Sequence, residues 1–498
     1  MRIVHPHDHE YKADCVLAND RFFYLPRAIY FCENAADVKT AIADSGGKSG
    51  SVRIRSGGHH HEGMSSANGV LLIDVSSINE ITYDGKGRVW IGAGASLKSI
   101  YGDLWQHGYM FPGGGCLDVH VGGLAQGGGW GPVSRKFGLT CDSLVGVEMV
   151  TAEGHCVTAL QEDRDEDHRK LLRALRGGGG GNFGVITKFC FRLHPWSEPY
   201  TDVTLVWSDR NLPGEKLDQF VSHWLKSFPR DPDHNLTTFL RLTAVDDPGG
   251  DRLVLGGRYL GNANQAEARI NALLAGQPSP RTAHYDSTLP WQAGIAEGAP
   301  GGESRQRALL GTRLGTLPEY QPGPTRASKE SADGAKPDVT DTCGGIPLRH
   351  KLSSGFAVPQ FDPAGIRAMT DYIRQGGPWP DSRLYVSLHC LGGAIVSDGD
   401  GSAFAFRDRN VLLQYQAWWL PEAASLDGLC IGWIGSFRRA MEGHTDGSFI
   451  NFIDARVPLG DYYHNTITKN DKVPQLVAAK RRWDPGNFFR FEMGIPPE

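Results

Sequence analysis

The sequence lacks the features that mark a membrane protein, a secreted precursor or a nucleic-acid-binding protein. No apolar run approaches the roughly 18 residues of a membrane helix, and the start, MRIVHPHDHEYK, lacks the apolar core of a signal peptide. Lys+Arg total 51 and Asp+Glu total 56, so no basic surplus favours nucleic acid or an anionic membrane. We therefore expect a cytoplasmic protein, or a secreted one whose leader was removed, with neither kind of partner.

Cysteine is sparse and scattered. Nine cysteines occur in 498 residues and none forms a C-x-x-C pair, which argues against a zinc site and against a dense disulfide scaffold. The alternating His5, His7 and His9 have no Cys or carboxylate cluster to complete a ligand set, so we expect no metal. The odd number of cysteines is compatible with a thiol that has a chemical role.

Glycine, in contrast, is abundant and concentrated. Nine glycines fall in the stretch 112–131, PGGGCLDVHVGGLAQGGGWG. Each glycine inside a helix or strand costs roughly 0.5–1 kcal/mol relative to alanine, so this stretch is not expected to be the interior of either. A flexible linker is the alternative, but linkers are rich in serine and lack embedded Cys, Trp, Val and His. We interpret the stretch as backbone wrapped closely around a flat, bulky ligand.

A second glycine turn lies earlier in the chain. In RIRSGGH, residues 53–59, a predicted strand ends and two glycines turn, so consecutive backbone N–H groups can converge on a pyrophosphate. A polar surface loop is the alternative for the three histidines that begin at His59. The literal G-x-G-x-x-G at Gly179–Gly184 follows a predicted helix and precedes a strand. This order is the reverse of a dinucleotide-binding unit and excludes the nicotinamide fingerprint.

Short strands and inserted helices predict an α+β fold. Apolar runs favour strands at 28–31, 144–150, 253–259 and 384–389, and amphipathic spacing favours helices at 96–108 and 363–375. The pattern of predicted strands and helices changes near 195–200, as expected for a domain boundary. The length of the chain also predicts two or more domains. Residues 318–342, rich in Pro, Gly, Ser, Lys and Asp, predict an exposed loop or lid.

Seven motifs in order along the chain carry a family resemblance. They are RSGGH (55–59), GGGCLDVHVGG (113–123), GGGWG (127–131), RKFGLTCDSL (135–144), LRGGGGGNFGVIT (175–187), YYHN (462–465) and DPGNFFRF (484–491). On these motifs the chain resembles the berberine bridge enzyme-like FAD-linked oxidases of the vanillyl-alcohol oxidase superfamily, which have a PCMH-type FAD-binding domain. The motifs reach both ends of the chain and are specific for fold and cofactor, but less so for substrate.

The resemblance implies an FAD held by two covalent bonds. His59 is expected to bind the 8α-methyl of the flavin ring and Cys116 its 6-position, since an imidazole nitrogen and a thiolate are good nucleophiles. Val119 occupies the position at which family members with valine are oxidases, which favours reduction of O2 to H2O2. The other residues that the resemblance places at the cofactor are Arg55, Ser56, Gly57, Gly58, Gly122, Gly123, Gly128, Gly129, Asn182, Gly184, Val185, Tyr462 and Asn487.

The chain departs from the family pattern at two positions of the glycine stretch. His120 stands where the family has glycine, and Leu124 where it has histidine. His120 is therefore expected either to reach the substrate cavity or to pack beneath the flavin.

The catalytic base is predicted on a strand of the substrate domain. Tyr385, Ser387 and His389 alternate along 384–389 and share one face, which favours a substrate wall over a solvent-exposed strand face. Phe452 replaces the tyrosine that sugar oxidases of the group use, so His389 or one of the tyrosines Tyr385, Tyr462 and Tyr463 is expected to take the proton. A histidine needs no large pKa shift for this role.

Two further groups on the predicted substrate strands and helices are expected to contact the substrate. Gln414 and Gln416 lie on the predicted strand 411–416 and offer hydrogen bonds. Trp418 and Trp433 are expected to stack on a ring of the substrate.

These observations together predict a two-lobed enzyme. Residues 1–196 form the FAD-binding domain, residues 197–449 form a substrate domain with an antiparallel sheet backed by helices, and residues 450–498 complete the first domain. The predicted reaction is oxidation of a hydroxyl-bearing small molecule, with a natural-product intermediate of secondary metabolism favoured. A carbohydrate or oligosaccharide oxidase is the alternative, and a non-catalytic ligand-binding protein on the same scaffold is another. The oligomeric state is left open.

Overall fold

The computed structural model describes residues 1–245, 249–288, 348–359, 361–376, 379–397 and 401–498. The loop predicted at 318–342 lies outside these residues. The helices are α1 (Tyr11–Asp14), α2 (Ala35–Asp44), α3 (Leu97–Gln106), α4 (Val121–Gly127), α5 (Ser134–Phe137), α6 (Glu166–Leu175), α7 (Glu215–Ser227), α8 (Ala263–Leu273), α9 (Pro363–Gln375), α10 (Asp427–Ala440) and α11 (Val473–Trp483). None of the described helices is long and apolar enough to cross a membrane.

Two sheets build the N-terminal part of the chain. The first ten strands are β1 (Arg2–Val4), β2 (Ala28–Phe31), β3 (Val52–Arg55), β4 (Leu71–Asp74), β5 (Ile81–Tyr83), β6 (Arg88–Gly92), β7 (Tyr109–Met110), β8 (Leu144–Val150), β9 (Cys156–Leu160) and β10 (Val185–Arg192). The four-stranded sheet has the order β1-β2-β4-β3, with β2, β4 and β3 parallel. The five-stranded sheet β5-β6-β10-β8-β9 is antiparallel. Leu476 of α11 and Phe489 belong to the same hydrophobic core, so the C-terminal segment packs back onto these sheets.

A large antiparallel sheet forms the other half. The remaining strands are β11 (His194–Pro195), β12 (Tyr200–Trp207), β13 (Leu236–Thr243), β14 (Leu253–Tyr259), β15 (Thr282–Thr288), β16 (Arg349–Ala357), β17 (Ser382–Cys390), β18 (Val411–Trp419), β19 (Thr445–Asp446), β20 (His464–Asn465) and β21 (Asn470–Asp471). Eight of them pair in the order β15-β12-β14-β13-β17-β18-β16-β19, while β7 pairs with β11 and β20 with β21. The α+β architecture predicted from the sequence is confirmed.

The alternation of side chains gives the eight-stranded sheet two different faces. On β17, Leu384, Val386 and Leu388 point into a core shared with α7, α9 and α10. The residues between them, Tyr385 and Ser387, face the opposite side and line a cavity. One face of the sheet is therefore structural, and the other is available for a ligand.

The glycine stretch corrects one prediction. Its centre, Val121–Gly127, is the helix α4, although the sequence argued against a helix interior here. Val121 and Ala125 are fully buried in the core, so packing outweighs the glycine penalty of about 1 kcal/mol per residue. Gly122 is required for this packing, because a Cβ there would lie 2.8 Å from the carbonyl oxygen of Ala93.

A buried ion cluster joins three distant parts of the chain. Lys351 Nζ of β16 donates to Glu62, which follows β3, and to Asp454 Oδ1 at 2.6 Å in the C-terminal segment. Lys351, Glu62 and Asp454 are all almost inaccessible to solvent. Burial opposes ionisation of Asp454, but Lys351 and Arg456 outweigh it and lower the pKa of Asp454 to about 2. Asp454 is therefore ionised at neutral pH, and the cluster ties the large sheet to both other segments.

We expect Lys351→Ala to lower the free energy of unfolding by about 3–5 kcal/mol, because it leaves the buried Glu62 without its counter-ion and Asp454 with Arg456 alone. Chemical denaturation followed by tryptophan fluorescence measures the change. Lys170→Ala is the control, since its ion pair with Glu166 is exposed and its loss should change stability by less than about 0.5 kcal/mol. Equal effects of the two substitutions would contradict a stabilising role of the cluster.

Candidate active site

A cavity of about 660 Å³ lies between the glycine loops and the eight-stranded sheet. This volume falls within the roughly 300–1,000 Å³ of small-molecule and cofactor sites. Its floor is formed by the loop after β3, by the stretch around α4 and by the five-glycine loop before β10. Its roof is the open face of β13, β17, β18 and β16. The structure thus brings together segments that are hundreds of residues apart.

Most of the predicted cofactor residues line the floor of this cavity. They are Ser56, Gly57, Gly58, His59, Cys116, Val119, Gly122, Gly123, Asn182 and Gly184. The N–H groups of Gly57, Gly58 and His59 donate no hydrogen bond to any described residue. Three consecutive N–H groups are thus available to an anion such as a pyrophosphate.

Six predicted cofactor residues do not line the cavity: Arg55, Gly128, Gly129, Val185, Tyr462 and Asn487. Arg55 forms an ion pair with the buried Asp74 and supports the loop that follows β3 from outside the cavity. Gly128 and Gly129 have φ angles of 114° and 74°, which let the chain turn after α4. Val185 is a core residue of β10.

The two adjacent tyrosines of the YYHN motif face different ways. Tyr462 exchanges hydrogen bonds of 2.9 Å with the backbone of Asp454, away from the cavity, and is not placed to act on a substrate. Tyr463 lines the cavity, and its hydroxyl donates to the Gly178 carbonyl at 2.9 Å. Burial raises the pKa of Tyr463, so it stays protonated and holds the five-glycine loop in place.

The C-terminal segment clamps the five-glycine loop from outside. The Asn182 side-chain amide donates to the Gly179 carbonyl at 3.1 Å, and its Oδ1 accepts the N–H of Ile495 at 2.8 Å. Lys480 Nζ donates to the Asn182 carbonyl at 2.7 Å and to Asp484 Oδ2 at 2.6 Å. Asn487 lies in the turn after Asp484, with its N–H on the Asp484 carbonyl. Its role is thus in the clamp and not in direct contact with the cavity.

The histidines of the floor are uncharged. Burial lowers the pKa of His59 to about 4, and the nearby His120 lowers it further. Burial likewise lowers the pKa of His60 to about 4 and that of His61 to about 3. A neutral imidazole keeps a lone pair on one nitrogen, which is the form in which His59 can act as a nucleophile.

His120 packs beneath the predicted cofactor loop. Its ring lies against Gly57, where a Cβ would come within 2.7 Å of the imidazole Cδ2. Burial lowers the pKa of His120, and its Nδ1 is buried without a hydrogen-bond partner. His120 therefore contacts the loop at Gly57 and also lines the cavity wall.

Cys116 differs from its predicted state. It lines the cavity as expected, but its sulfur is in a disulfide in this structure. A bond to the flavin ring requires the thiolate, so the disulfide and the expected attachment exclude each other at this sulfur.

The predicted substrate residues form a polar row on the roof. Tyr385 pairs with Gln416 and Ser387 with Gln414 across β17 and β18, and all four line the cavity. The Tyr385 hydroxyl donates to Gln416 Oε1 at 2.8 Å, and Trp418 Nε1 donates to the same oxygen at 3.0 Å. The alternation that predicted a substrate wall is matched by this geometry. Trp433, in contrast, lies in the helical core behind the sheet and cannot stack on a substrate.

His389 stands at the end of the same face, next to the aromatic ring of Trp130. Its Nε2 is 3.0 Å from Gln414 Oε1, so Nε2 carries the proton. Its Nδ1 is buried without a partner, and the Trp130 ring centre is 4.3 Å away. Burial lowers the pKa of His389 to about 4, with Gln414 opposing the shift and Arg241 adding to it. The expectation of a histidine near its ordinary pKa is therefore wrong.

Several cavity residues were missed by sequence reasoning. Arg241 faces the cavity from β13, opposite Ser387. His350 of β16 also lines it, with its Nε2 3.0 Å from His61 Nδ1, so roof and floor touch there. A charge in the middle of the apolar strand β13 was a usable signal for Arg241. No comparable signal marked His350.

The floor fits the FAD implied by the resemblance. Its free N–H groups suit a pyrophosphate, and the neutral His59 suits attachment to the ring. A Cβ on Gly123 would meet no atom within 4 Å, so a side chain there would project into the open cavity. Glycine at this position leaves that space for a ligand.

Two family models match the chain. Residues 26–160 match the FAD binding domain, and residues 448–496 match the model described as berberine and berberine like. The chain is 28% identical over 504 residues to the uncharacterized FAD-linked oxidoreductase YgaK of Bacillus subtilis, covering 100% of this chain and 97% of that protein. The predicted FAD-binding domain and family resemblance are confirmed.

Other relatives agree in sequence and in fold. The aclacinomycin-N/aclacinomycin-A oxidase of Streptomyces galilaeus is 28% identical over 521 residues, covering 96% of this chain and 86% of that protein. The solved structure of BBE-like 1 from Physcomitrella patens is 26% identical and superposes with a TM-score of 0.79, covering 100% of this chain and 97% of that one.

We expect Gly57→Ala to lower the amount of FAD bound per protein, because the new methyl group would press on the His120 ring and displace the loop. The ratio of flavin to protein absorbance measures this. Adding His120→Gly to the same protein should restore the ratio. Gly428→Ala is the control, since a Cβ there meets no atom within 4 Å. An unchanged ratio in Gly57→Ala would contradict the proposed position of the cofactor.

Proposed function

We propose that this chain, a berberine bridge enzyme-like FAD-linked oxidoreductase with a PCMH-type FAD-binding domain and a BBE domain, is an oxidase of hydroxyl-bearing small molecules. The observation that carries the proposal is one cavity with a glycine-lined floor beneath a polar sheet face. We further propose residues 1–196 with 450–498 as the FAD-binding domain and residues 197–449 as the substrate domain. The strand order supports this division, because β12 to β19 form one sheet.

The floor residues would hold the cofactor. The N–H groups of Gly57, Gly58 and His59 would receive the pyrophosphate, and the His59 imidazole would bind the flavin ring covalently. Cys116 would form a second bond after a thiol reductant has reduced its disulfide to the free thiolate. FAD held by these residues would supply an acceptor for the hydride of the substrate C–H and a route for its two electrons to O2, which with two protons gives H2O2.

The roof residues would bind the substrate and take its proton. Ser387, Gln414 and Gln416 offer hydrogen bonds to hydroxyl groups, and His389, or Tyr385 in its deprotonated form, would accept the proton released as the substrate C–OH becomes C=O. His389 is neutral at physiological pH, as an acceptor must be, although a pKa of about 4 makes it a weak base. To present a nitrogen to the substrate its ring must turn, because Nε2 is bonded to Gln414 and Nδ1 is buried.

Two residues bear on the electron acceptor and on the substrate class. Val119 lines the cavity beside the predicted attachment sites and would leave O2 a path to the flavin. Phe452 lines the cavity as well, and its ring centre is 5.7 Å from that of His389. Phe452 has no hydroxyl, which favours a natural-product alcohol over a sugar substrate.

The covalent attachment can be tested with two single variants. We expect His59→Ala and Cys116→Ala each to lose one of two bonds, and the double variant to release all flavin on denaturation. Acid precipitation followed by flavin absorbance of the pellet measures retention, and peptide mass spectrometry locates the bonds. Recovery of the Cys116 peptide as a disulfide, with flavin on His59 alone, would contradict the second attachment.

The oxidase proposal can be tested by a peroxide-release screen across polyketide-like alcohols, phenolic alcohols and sugars. We expect a hydroxyl compound to reduce the flavin and to release H2O2. His389→Gln should lower the anaerobic rate of flavin reduction by about 10²–10⁴-fold. In the unmodified enzyme this rate should fall only as the pH drops towards about 4, because protonation of His389 removes the acceptor.

Tyr385→Phe is the comparison variant in the same experiment. It keeps the ring and removes the hydroxyl bonded to Gln416. A larger loss in Tyr385→Phe than in His389→Gln would assign the proton to the tyrosine instead. If the protein contains FAD but no compound of the three classes reduces this flavin, the result contradicts the proposed reaction.

A further inference from the structure

Arg241 is a cationic side chain in the cavity roof that has no counter-ion in the described part of the chain. It lies in the middle of β13, half-buried, opposite Ser387 of β17. Its guanidinium carbon is 4.7 Å from the Tyr385 ring centre and 5.5 Å from that of Phe239. Its Nε is buried without a hydrogen-bond partner. Among the described residues, no carboxylate forms an ion pair with it.

Two other arginines, in or directly before the neighbouring strand β14, each pair with an aspartate. Arg258 of β14 also stacks on a tyrosine ring, but Asp202 lies 2.8 and 3.0 Å from its guanidinium. Arg252, directly before the same strand, pairs with Asp209 at 2.8 Å. A sequestered charge without a partner is costly, and burial lowers the pKa of Arg241. We therefore expect a bound ligand to supply the negative charge that pairs with Arg241.

The surroundings define the charge of that ligand. His59, His60, His61 and His389 are neutral, and the charge of Lys351 is already matched by Glu62 and Asp454. Arg241 is the guanidinium that lines the roof, and the guanidinium carbon of Arg383 lies 5.4 Å from the centre of the same Tyr385 ring. The planar fork of Arg241 matches the two oxygens of a carboxylate. The anion site formed by the N–H groups of Gly57 to His59 belongs to the floor and serves a different group.

We propose that the substrate bears a carboxylate in addition to its hydroxyl group, and that Arg241 binds this carboxylate as a specificity-determining residue. The proposal rests on the proposed function, because it concerns the substrate of the same cavity. Arg241 pairs with Ser387, and Ser387 with Gln414, so the carboxylate would lie in one row with two further hydrogen-bonding side chains. The Tyr385 ring beside Arg241 would bring the anchored end close to the residues proposed to take the proton.

Binding without turnover gives the first test. Benzoate, phenylacetate and cinnamate are titrated into the FAD-loaded enzyme beside their amides, and dissociation constants are taken from the flavin difference spectrum. We expect at least one acid to bind about 10- to 100-fold tighter than its amide, as for a hydrogen-bonded charge pair. The proposal is wrong if no acid of the series binds better than its amide. This comparison needs no variant and holds even if substitutions impair folding.

Variants then assign the preference to one residue. Arg241→Gln should remove the preference for acids, and Arg241→Lys should keep part of it as a point charge without the planar fork. Arg252→Gln is the matched control, because Arg252 does not line the cavity and should leave the preference unchanged. An acid preference that survives in Arg241→Gln overturns the assignment.

Anaerobic flavin reduction by hydroxy acids and their methyl esters separates this inference from the oxidase proposal. A second-order rate constant for flavin reduction that is about tenfold or more higher for the acids than for their esters supports both the carboxylate site and the oxidase. Equal reduction by acid and ester overturns the carboxylate and leaves the oxidase intact. Acid binding that depends on Arg241, without reduction by any hydroxyl compound, supports the carboxylate site and overturns the oxidase.

Discussion

The buried contact of Lys351 with Glu62 and Asp454 is the interaction on which the geometry of the cavity depends. Each partner comes from a different part of the molecule: the roof sheet, the loop that carries His59, and the C-terminal segment. Ion clusters of this kind often contribute little net stability compared with apolar packing, but they are strict about distance and direction. The cluster therefore fixes how the floor and the roof face each other. The contact between His61 and His350 is a second contact between floor and roof, in addition to the ion cluster.

The cavity separates two chemical tasks by its two walls. The floor is built mainly from backbone, glycine and neutral imidazoles, so it can approach a ligand closely. The roof is built from alternating strand positions and carries the hydroxyl, amide and guanidinium groups. Burial keeps His59 and His389 neutral on both walls. Arg241 is then the charged group on the roof face that no described acid balances.

Sequence reasoning predicted residues that line the cavity where local pattern is enough to place them. The RSGGH turn identified the loop of free N–H groups, and the alternation of Tyr385, Ser387 and His389 identified the roof. It failed where the answer depends on pairing between distant strands. Arg241 and His350 become part of the cavity only because β13 pairs with β17 and β16 with β18. The adjacent tyrosines at 462 and 463 show a second limit, since identical neighbours point to different environments and only packing decides which lines the cavity.

The clamp on the five-glycine loop also sets an order of events during synthesis. Lys480 lies 298 residues beyond the Asn182 carbonyl that it holds, with the whole roof sheet encoded between them. At about 5–20 residues per second, a ribosome needs roughly 15–60 s to make that interval. Until then the loop has neither its lysine nor its backbone partner at Ile495. The hydrogen bonds that hold the five-glycine loop can therefore form only after the residues of the roof sheet have been synthesised.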